Sequence, residues 1–365
     1  MDVMHEGTTV EKMLMAQAAK KRVPVNGSIE LLPLCNMNCD MCYVRLTKEQ
    51  MDSQGRLRTA DEWIEIAKQM QEAGVLFLLL TGGEPFLYPE FKKVYLELQN
   101  MGFILTINTN ATLIDEEWAV FLSQHKPRRI NVTLYGADEE TYTNLCHYPG
   151  GYKKAINGIK LLKKYEIDVK VGGSLTRENQ NDIEKILDLG MELDVPVRID
   201  TYMMPAIRER NMPYNLQSRV SPEKAAQIRI MALRKEMGEE LFSQYLNQIL
   251  QKIEEFQPSE GKTSMSCMAG KCSFTINWQG EMRPCVVLSS PAVSVIEHGF
   301  KYAWRIISEE TNKIFINDQC GRCKLRPLCR TCAASALLEN GSYDSIPEYM
   351  CKYAEESYRL LITLK

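Results

Sequence analysis

The stretch "SIELLPLCNMNCDMCY", residues 28–43, runs from an apolar, strand-like segment directly into three cysteines, Cys35, Cys39 and Cys42. Three thiolates at this spacing can hold zinc with a distant histidine as fourth ligand, or three corners of a four-iron cluster. Only four histidines occur in the chain, which weakens the zinc interpretation. A four-iron cluster with three protein ligands leaves one iron open to a substrate or cofactor. The regular spacing disfavours three cysteines that are merely small hydrophobic residues.

Six short, apolar and often β-branched runs predict buried parallel strands. They span residues 28–34, 75–81, 103–109, 129–135, 169–175 and 195–203. Helical stretches lie between them; in residues 59–74, Thr59 and Glu62 form a capping box and Gly74 ends the helix. Strand and helix in alternation predict a parallel sheet, either a doubly wound layer or a barrel. In both architectures ligands gather at the carboxyl ends of the strands, where the first cysteines fall.

The second predicted strand ends in "TGGEP", residues 81–85. Gly82 and Gly83 let the backbone approach a ligand closely, and Glu84 adds a carboxylate. Such a motif alone is often only a tight turn. Its place at the top of the strand next to the cysteine loop favours a binding site.

Composition excludes several classes of protein. The net charge of −3 is spread over interspersed acidic and basic residues, so no electrostatic footprint for nucleic acid is present. No apolar run reaches the roughly 18 residues of a membrane span. The N-terminal segment, residues 1–25, lacks a signal-peptide pattern and predicts an amphipathic helix with Val10, Met13, Leu14 and Ala18 on its apolar face. Twelve cysteines in such a chain are expected to be cytoplasmic thiols available for metal or redox chemistry.

The C-terminal part is rich in cysteine, with eight of the twelve between Cys267 and Cys351. Alternating segments around Gln279-Gly280 predict a hairpin with Cys272 and Cys285 at its ends. Residues 320–332, "CGRCKLRPLCRTC", contain two Cys-x2-Cys pairs, which in isolation indicate a zinc ribbon. Eight cysteines, however, suffice for two complete four-ligand sites.

Four segments are predicted in all. An N-terminal helical segment covers residues 1–25, and the strand-helix units cover 26–204. A linker and bridging helices cover 205–264, and the cysteine-rich part with a C-terminal helix covers 265–365. The bridging helices carry an apolar face that consists of Leu246, Ile249, Ile253 and Phe256.

"CNMNCDMC" matches the Cys-x3-Cys-x2-Cys signature of radical S-adenosylmethionine (SAM) enzymes, and "GGEP" matches that family's second-strand motif. The resemblance covers residues 26–204 and implies the family's partial (β/α)6 TIM-type barrel. It implies that Cys35, Cys39 and Cys42 ligate a four-iron, four-sulfur (4Fe–4S) cluster, whose open iron takes the amino and carboxylate groups of SAM.

The same resemblance implies contacts to SAM. Gly82, Gly83 and Glu84 would lie against the methionine amino group. Thr133 would face the ribose or carboxylate, although a strand threonine chosen for its β-propensity is an equal alternative. Asn108 and Asn110 are further candidates. Met41 stands where the family usually has an aromatic residue, and Tyr43 follows directly after the third cysteine.

Residues 265–352 are similar to the SPASM domain, the C-terminal extension of radical enzymes that act on peptides and proteins. The resemblance implies two auxiliary 4Fe–4S clusters, three clusters in all. One would use Cys267, Cys272, Cys285 and Cys332, and the other would use Cys320, Cys323, Cys329 and Cys351. Cys146 remains as a structural thiol. Two spacings are shorter than in the SPASM pattern, namely Cys329-x2-Cys332 and the gap from Cys272 to Gly280. The ligands of the first auxiliary cluster therefore match that pattern less well than those of the second.

The resemblance implies a maturase that cleaves SAM reductively and abstracts hydrogen from a ribosomally synthesised peptide to install a thioether or carbon crosslink. It implies a peptide or protein substrate and an electron donor of flavodoxin or ferredoxin type. The segment before the first strand is too short for a fused leader-recognition domain, which leaves a separate recognition protein or direct binding. If all eight C-terminal cysteines ligate, the auxiliary clusters serve electron transfer.

Two alternatives remain. One is an anaerobic sulfatase-maturing enzyme, which forms formylglycine. Such relatives carry an aspartate after the cysteine that matches Cys285, but this sequence reads "RPCVVL". The other is a non-catalytic iron-sulfur electron carrier, which explains the cysteine count but not "GGEP".

Overall fold

The computed structural model describes residues 8–204, 218–259, 261–329 and 331–365. Six parallel strands pair as neighbours in chain order. They are β1 Asn26–Glu30, β2 Phe77–Thr81, β3 Ile104–Thr109, β4 Arg129–Thr133, β5 Val169–Ser174 and β6 Val197–Asp200. A doubly wound sheet reverses its strand order in the middle, whereas this order never reverses. The sheet is therefore wound in one direction, as in a partial barrel.

Eight helices described in the first 204 residues surround these strands. They are α1 Thr9–Lys21, α2 Lys48–Gln54, α3 Ala60–Glu72, α4 Phe91–Asn100, α5 Glu116–Gln124, α6 Glu139–Cys146, α7 Gly151–Lys164 and α8 Ile183–Glu192. The predicted capping box of α3 is confirmed: the Thr59 hydroxyl accepts from Glu62 N–H at 3.2 Å, and the Glu62 carboxylate accepts from Thr59 N–H at 2.8 Å. Gly74 follows with φ +90°, which ends the helix as predicted.

Helix α1 forms where the sequence predicts it, but its apolar residues do not make a buried face. Val10 and Met13 are 73% and 63% exposed, and only Ala18 is buried in this helix. The helix is held at its end instead. The Arg22 guanidinium donates to the carbonyl group of Ser308 at 2.8 Å, which ties the segment to the C-terminal part.

The predicted hairpin is present as β8 Ser273–Ile276 and β9 Glu281–Arg283, which are antiparallel. It joins the main sheet because β8 pairs in parallel with β1. Strand β10, Val293–Ser294, pairs with β9 at the outer edge, which gives a sheet of nine strands. The hydroxyl groups of Ser28 and Thr275 share a buried 2.8 Å hydrogen bond across the β1–β8 seam. A separate two-stranded sheet pairs β7 Thr263–Ser264 with β11 Phe315–Ile316.

The remaining described helices form the C-terminal half. They are α9 Pro222–Glu254, α10 Val295–His298, α11 Phe300–Asn312, α12 Asp318–Arg322, α13 Ala333–Asn340 and α14 Glu348–Thr363. Helix α9 is interrupted at Gly238, which has a φ of +73°. The segment therefore consists of two helices that meet at a kink. Leu246, Ile249 and Ile253 are buried in one cluster with Leu361 of α14. Residues 205–217 of the predicted linker lie outside the described residues. Within the described part, no helix has the length and apolar character that crossing a membrane needs.

Candidate active site at the carboxyl edge of the sheet

The loop that carries Cys35, Cys39 and Cys42 is fixed against the C-terminal end of α6. Asn38 N–H donates to the carbonyl oxygen of Cys146 at 2.9 Å, and Asp40 N–H donates to that of Leu145 at 3.1 Å. The last carbonyl groups of a helix have no partner within the helix, so the loop satisfies them. The ring of His147 adds a 2.7 Å contact to the Asp40 carboxylate.

Gly82 and Gly83 allow the end of β2 to pack directly on the chain that leads to Cys35. A Cβ atom on Gly82 would lie 2.5 Å from the carbonyl oxygen of Leu32, and one on Gly83 would overlap the carbonyl oxygen of Leu34. Gly83 N–H donates to Leu32 at 2.7 Å, and Glu84 N–H donates to Leu34 at 2.9 Å. The glycines thus serve close approach of two backbone segments, and both also line the cavity described below.

Glu84 is fully buried, and its carboxylate accepts three hydrogen bonds from neighbouring residues. The Thr109 hydroxyl donates at 2.7 Å, Asn110 N–H at 2.9 Å and Phe86 N–H at 3.2 Å. Burial raises the pKa of Glu84 to about 7, and these hydrogen bonds oppose that shift. The side chain lies behind the cavity and not among its lining residues.

Asn110 connects this buried carboxylate to the first cysteine. Its side-chain amide donates to the Asn36 carbonyl oxygen at 2.9 Å and contacts the Cys35 sulfur at 3.7 Å. Asn36 in turn donates to the Thr112 hydroxyl at 2.8 Å. The orientation of Cys35 is therefore coupled through Asn110 to Glu84.

A cavity of about 510 Å³ opens at the carboxyl ends of the strands. Most of the residues predicted for the first site line it, namely Cys35, Cys39, Cys42, Tyr43, Gly82, Gly83, Asn108, Thr133 and Asn110. The structure brings these residues together although they come from four strands and their loops. Asn108 is further held by a 2.8 Å hydrogen bond from the Asn131 amide.

The sequence prediction missed other lining residues at the ends of the later strands. They include Tyr135, Ser174, Asp200, Tyr202 and Met203. The rule that ligands gather at the carboxyl ends of parallel strands would have found Ser174 and Asp200, because these residues end β5 and β6. An adjoining cavity of about 300 Å³ is lined by Lys170, Arg198 and Asp200. The Arg198 guanidinium lies 3.3 Å from the Asp200 carboxylate.

The thiols of the first site are set in an environment that opposes ionisation. Burial raises the pKa of Cys35, and a hydrogen bond with Cys146 together with burial raises that of Cys39. Cysteine binds metal as the thiolate, and a bound metal supplies the positive charge that stabilises it. The three thiols line the same cavity as Gly82 and Gly83. This arrangement fits a cluster with three protein ligands.

The C-terminal cysteines form two groups. In the first, burial and then the charges of Cys329, Cys320 and Cys323 raise the pKa of Cys351 to about 11. Because these charges act on Cys351, the four thiols predicted for one cluster lie near one another, around α12 and the start of α14. The Cys329 sulfur also lies 3.0 Å from the Thr331 hydroxyl.

The second group contains three thiols. Burial, opposed by the N–H groups of Leu288 and Val287, raises the pKa of Cys285 to about 11, with smaller contributions from the charges of Cys332 and Cys267. The fourth predicted member, Cys272, is fully buried in a small apolar cluster with Ala18 and Val25. Among the described residues, no group of three or more Cys, His, Asp or Glu side chains is arranged so that it could hold a single metal ion.

Val287 connects the cysteine-rich part to the cavity. It lies two residues after Cys285 and lines the cavity, as do Met203 and Tyr43. The C-terminal part therefore contributes to the lining of this cavity.

Comparisons with known proteins agree with this architecture. The family model for the Radical SAM superfamily matches residues 29–190. The chain is 24% identical over 330 residues to the AdoMet-dependent heme synthase of Methanosarcina barkeri, covering 86% of this chain and 92% of the relative. It is 25% identical to the antilisterial bacteriocin subtilosin biosynthesis protein AlbA of Bacillus subtilis, over 73% of this chain and about half, 55%, of AlbA.

Two solved structures share the fold along nearly the whole chain. Streptococcus suis SuiB bound to the precursor peptide SuiA has a TM-score of 0.69 at 16% identity, covering 96% of this chain and 83% of SuiB. Native anSMEcpe with bound AdoMet has a TM-score of 0.68 at 20% identity, covering 93% of this chain and 99% of the other. The family match implies SAM and a 4Fe–4S cluster as cofactors. Residues 29–190 match the Radical SAM superfamily, which is a superfamily of enzymes, and nearly the whole chain shares the fold of SuiB and anSMEcpe.

Proposed function

We propose that the protein is a maturase that abstracts a hydrogen atom from a ribosomally synthesised peptide or a protein side chain and installs a thioether or carbon crosslink. The single observation that carries this proposal is the shared cavity. Its wall combines three thiols of the radical SAM domain with Val287 of the cysteine-rich part. A substrate in this cavity would contact both parts of the protein.

Cys35, Cys39 and Cys42 would hold the first cluster, and the backbone at Gly82 and Gly83 would face the methionine end of SAM. The bound cluster and SAM supply a 5′-deoxyadenosyl radical after one-electron reduction. The protein positions one C–H bond of the substrate and excludes water. Thr133, Asn108 and Tyr43 line the cavity and would contact SAM. Because Glu84 is buried behind the wall, its role would be to hold Asn110 and through it Cys35.

Two auxiliary clusters would bring the total to three. One would be held by Cys320, Cys323, Cys329 and Cys351, and the other by Cys267, Cys272, Cys285 and Cys332. SPASM-type relatives support this proposal: SuiB was solved with a precursor peptide, and AlbA is named for bacteriocin biosynthesis. A flavodoxin or ferredoxin would supply electrons, and the leader peptide would be presented by a separate protein or would bind directly in the barrel.

The test begins with the full chain reconstituted with iron and sulfide without oxygen. Reduction in the presence of SAM should release 5′-deoxyadenosine, and Cys35→Ser should abolish it. A peptide encoded beside the gene should then lose two hydrogen atoms by mass spectrometry for each crosslink. Release of 5′-deoxyadenosine without any change in such peptides would contradict the peptide-modifying function, and absence of the nucleoside would favour an electron carrier.

A second candidate is a reaction on a small carboxylate-bearing substrate, such as a porphyrin. Two observations favour it: the chain spans 92% of a relative named AdoMet-dependent heme synthase, and Lys170 and Arg198 line the adjoining cavity. Cationic side chains suit carboxylates. Loss of carbon dioxide from such a porphyrin in the same assay would support this candidate. The sulfatase-maturing alternative predicts that a cysteine in a sulfatase-derived peptide is oxidised to formylglycine; Val286 after Cys285 argues against it.

A further inference from the structure

The sulfur atoms of Cys35 and Cys42 accept hydrogen bonds from backbone N–H groups a few residues further along the loop. The Met37 nitrogen lies 3.4 Å from the Cys35 sulfur, and the Arg45 nitrogen lies 3.3 Å from the Cys42 sulfur. Hydrogen bonds to ligand sulfurs are one of the factors that set the reduction potential of an iron-sulfur cluster. They stabilise the more negative, reduced state and so raise the potential.

The backbone around Cys39 is committed to other partners. Asn38 N–H and Asp40 N–H donate to the last two carbonyl groups of α6, at 2.9 and 3.1 Å. Cys42 N–H, three residues after Cys39, donates to the Cys39 carbonyl oxygen at 3.0 Å. These N–H groups hold the loop against α6 and close its turn, so they do not serve the Cys39 sulfur as the Met37 and Arg45 groups serve the other two sulfurs.

Two side chains meet the Cys39 sulfur instead. The Tyr135 hydroxyl donates to it, and the thiol of Cys146, the last residue of α6, shares a hydrogen bond with it. Cys146 is fully buried, and the bond from Asn38 N–H to its carbonyl oxygen holds it beside the cysteine loop. Tyr135 is held by Tyr142, whose ring packs edge-on against it at 6.3 Å between centroids and whose hydroxyl accepts from Tyr135 N–H at 3.4 Å.

The direction of the hydrogen bond between the two thiols depends on whether Cys39 binds metal. In the metal-free protein this bond contributes to the raised pKa of Cys39, because Cys39 keeps its proton beside Cys146. A cysteine that ligates metal is a thiolate and has no proton to donate. The S–H group of Cys146 is then the donor, and the Cys39 sulfur is the acceptor.

We propose that Cys146 and Tyr135 tune the reduction potential of the first cluster by donating hydrogen bonds to the Cys39 sulfur. Both residues act through Cys39, and neither is a ligand. Each donor stabilises the negative charge gained in one-electron reduction, so the reduced cluster is populated at a less negative potential. A thiol is a weak donor and a phenol a stronger one, so Tyr135 contributes more. This inference rests on the proposed function, because it takes Cys39 as a ligand of the first cluster.

The test is a potentiometric titration of the reconstituted full chain, followed by EPR spectroscopy. The signal of the first cluster is identified as the one that is missing from Cys35→Ala. Tyr135→Phe and Cys146→Ala should each lower the potential. In the double variant, the ratio of reduced to oxidised cluster at a fixed potential should fall about tenfold, which for one electron is a shift of ~59 mV. Cys146→Ser retains a hydroxyl donor and should stay close to the wild-type potential.

Iron and sulfide per chain separate this role from packing. If Cys146 only fills space, Cys146→Ala and Cys146→Ser lose loading or thermal stability alike, and the loaded fraction keeps the wild-type potential. That result would overturn the inference for Cys146. Tyr135→Phe removes a single oxygen atom and provides the same comparison if the Cys146 variants do not load. An unchanged potential in Tyr135→Phe would overturn the inference for Tyr135.

Failure of the inference is distinguishable from failure of the proposed function. If no peptide is modified but the potentials shift as expected, the proposed maturase function is wrong and the tuning of the cluster stands. If the first-cluster signal persists in Cys39→Ala, Cys39 is not a ligand and the inference is wrong, whatever the substrate. Peptide modification with unchanged potentials in all three variants supports the function and contradicts the inference.

Discussion

The carboxylate of Glu84 accepts a 2.7 Å hydrogen bond from the Thr109 hydroxyl, and this buried contact joins the end of β2 to the end of β3. The same carboxylate binds the N–H group of Asn110, whose side chain contacts Cys35. Glu84 is thus positioned behind the cavity wall, where its hydrogen bonds help to orient the cysteine loop in front of it.

Replacement of Glu84 by Gln should change how stability depends on pH. Burial raises the pKa of Glu84 from 4.5 to about 7. Between these values the folded protein holds a proton that the unfolded chain has released, so the free energy of unfolding falls as pH rises. Relative to Glu84→Gln, the wild-type protein should lose up to about 3 kcal/mol between pH 4.5 and pH 8. Denaturant unfolding of the metal-free proteins across this range measures the difference, and a constant difference would contradict the prediction.

Gly83→Ala should prevent the end of β2 from packing on the cysteine loop. The added methyl group would overlap the backbone oxygen of Leu34, which cannot move without displacing Cys35. We expect a loss of about 1–3 kcal/mol in stability and less iron bound per chain. Gly172→Ala is the matched control, since a Cβ atom at that strand glycine meets no atom within 4 Å. Equal effects of the two substitutions on thermal unfolding would contradict this account.

Asp200→Asn should uncouple SAM cleavage from substrate modification. Asp200 ends β6 and lines both cavities. If it binds the substrate, loss of the charge costs about 1.5–3 kcal/mol, or roughly 10- to 100-fold in modification. Formation of 5′-deoxyadenosine without substrate should persist.

Asp194→Asn is the control for this prediction, because the Asp194 side chain is 98% exposed. Product and 5′-deoxyadenosine are quantified in the same reaction by chromatography. A parallel loss of both in Asp200→Asn would mean that Asp200 acts on SAM or on folding and not on the substrate.

The elements of the barrel could be predicted because their signals are local. The Thr59–Glu62 capping box and the six apolar runs depend on residues a few positions apart, and the structure has a helix or strand at each. Strand ends shifted: β1 covers Asn26–Glu30 and not 28–34, since pairing with β2 and β8 determines where the strand begins and ends.

The parts that could not be predicted depend on contacts between distant residues. The pairing of β8 with β1 requires Gly27, where a Cβ atom would overlap the ring of Phe274. The burial of Glu84 depends on donors from β3, and the position of Cys272 depends on α1. Spacing between cysteines shows which thiols are available, but the face to which each points is set by the packing around it.

The most direct test of the central claim is EPR spectroscopy of the reduced, oxygen-free protein before and after addition of SAM. The auxiliary cysteines Cys267, Cys285, Cys320 and Cys323 are replaced by Ala so that only the first cluster contributes. The account predicts that SAM changes the spectrum, because the cluster held by Cys35, Cys39 and Cys42 has one iron that the protein does not ligate. A cluster that loads fully but whose spectrum is unchanged by saturating SAM would contradict it.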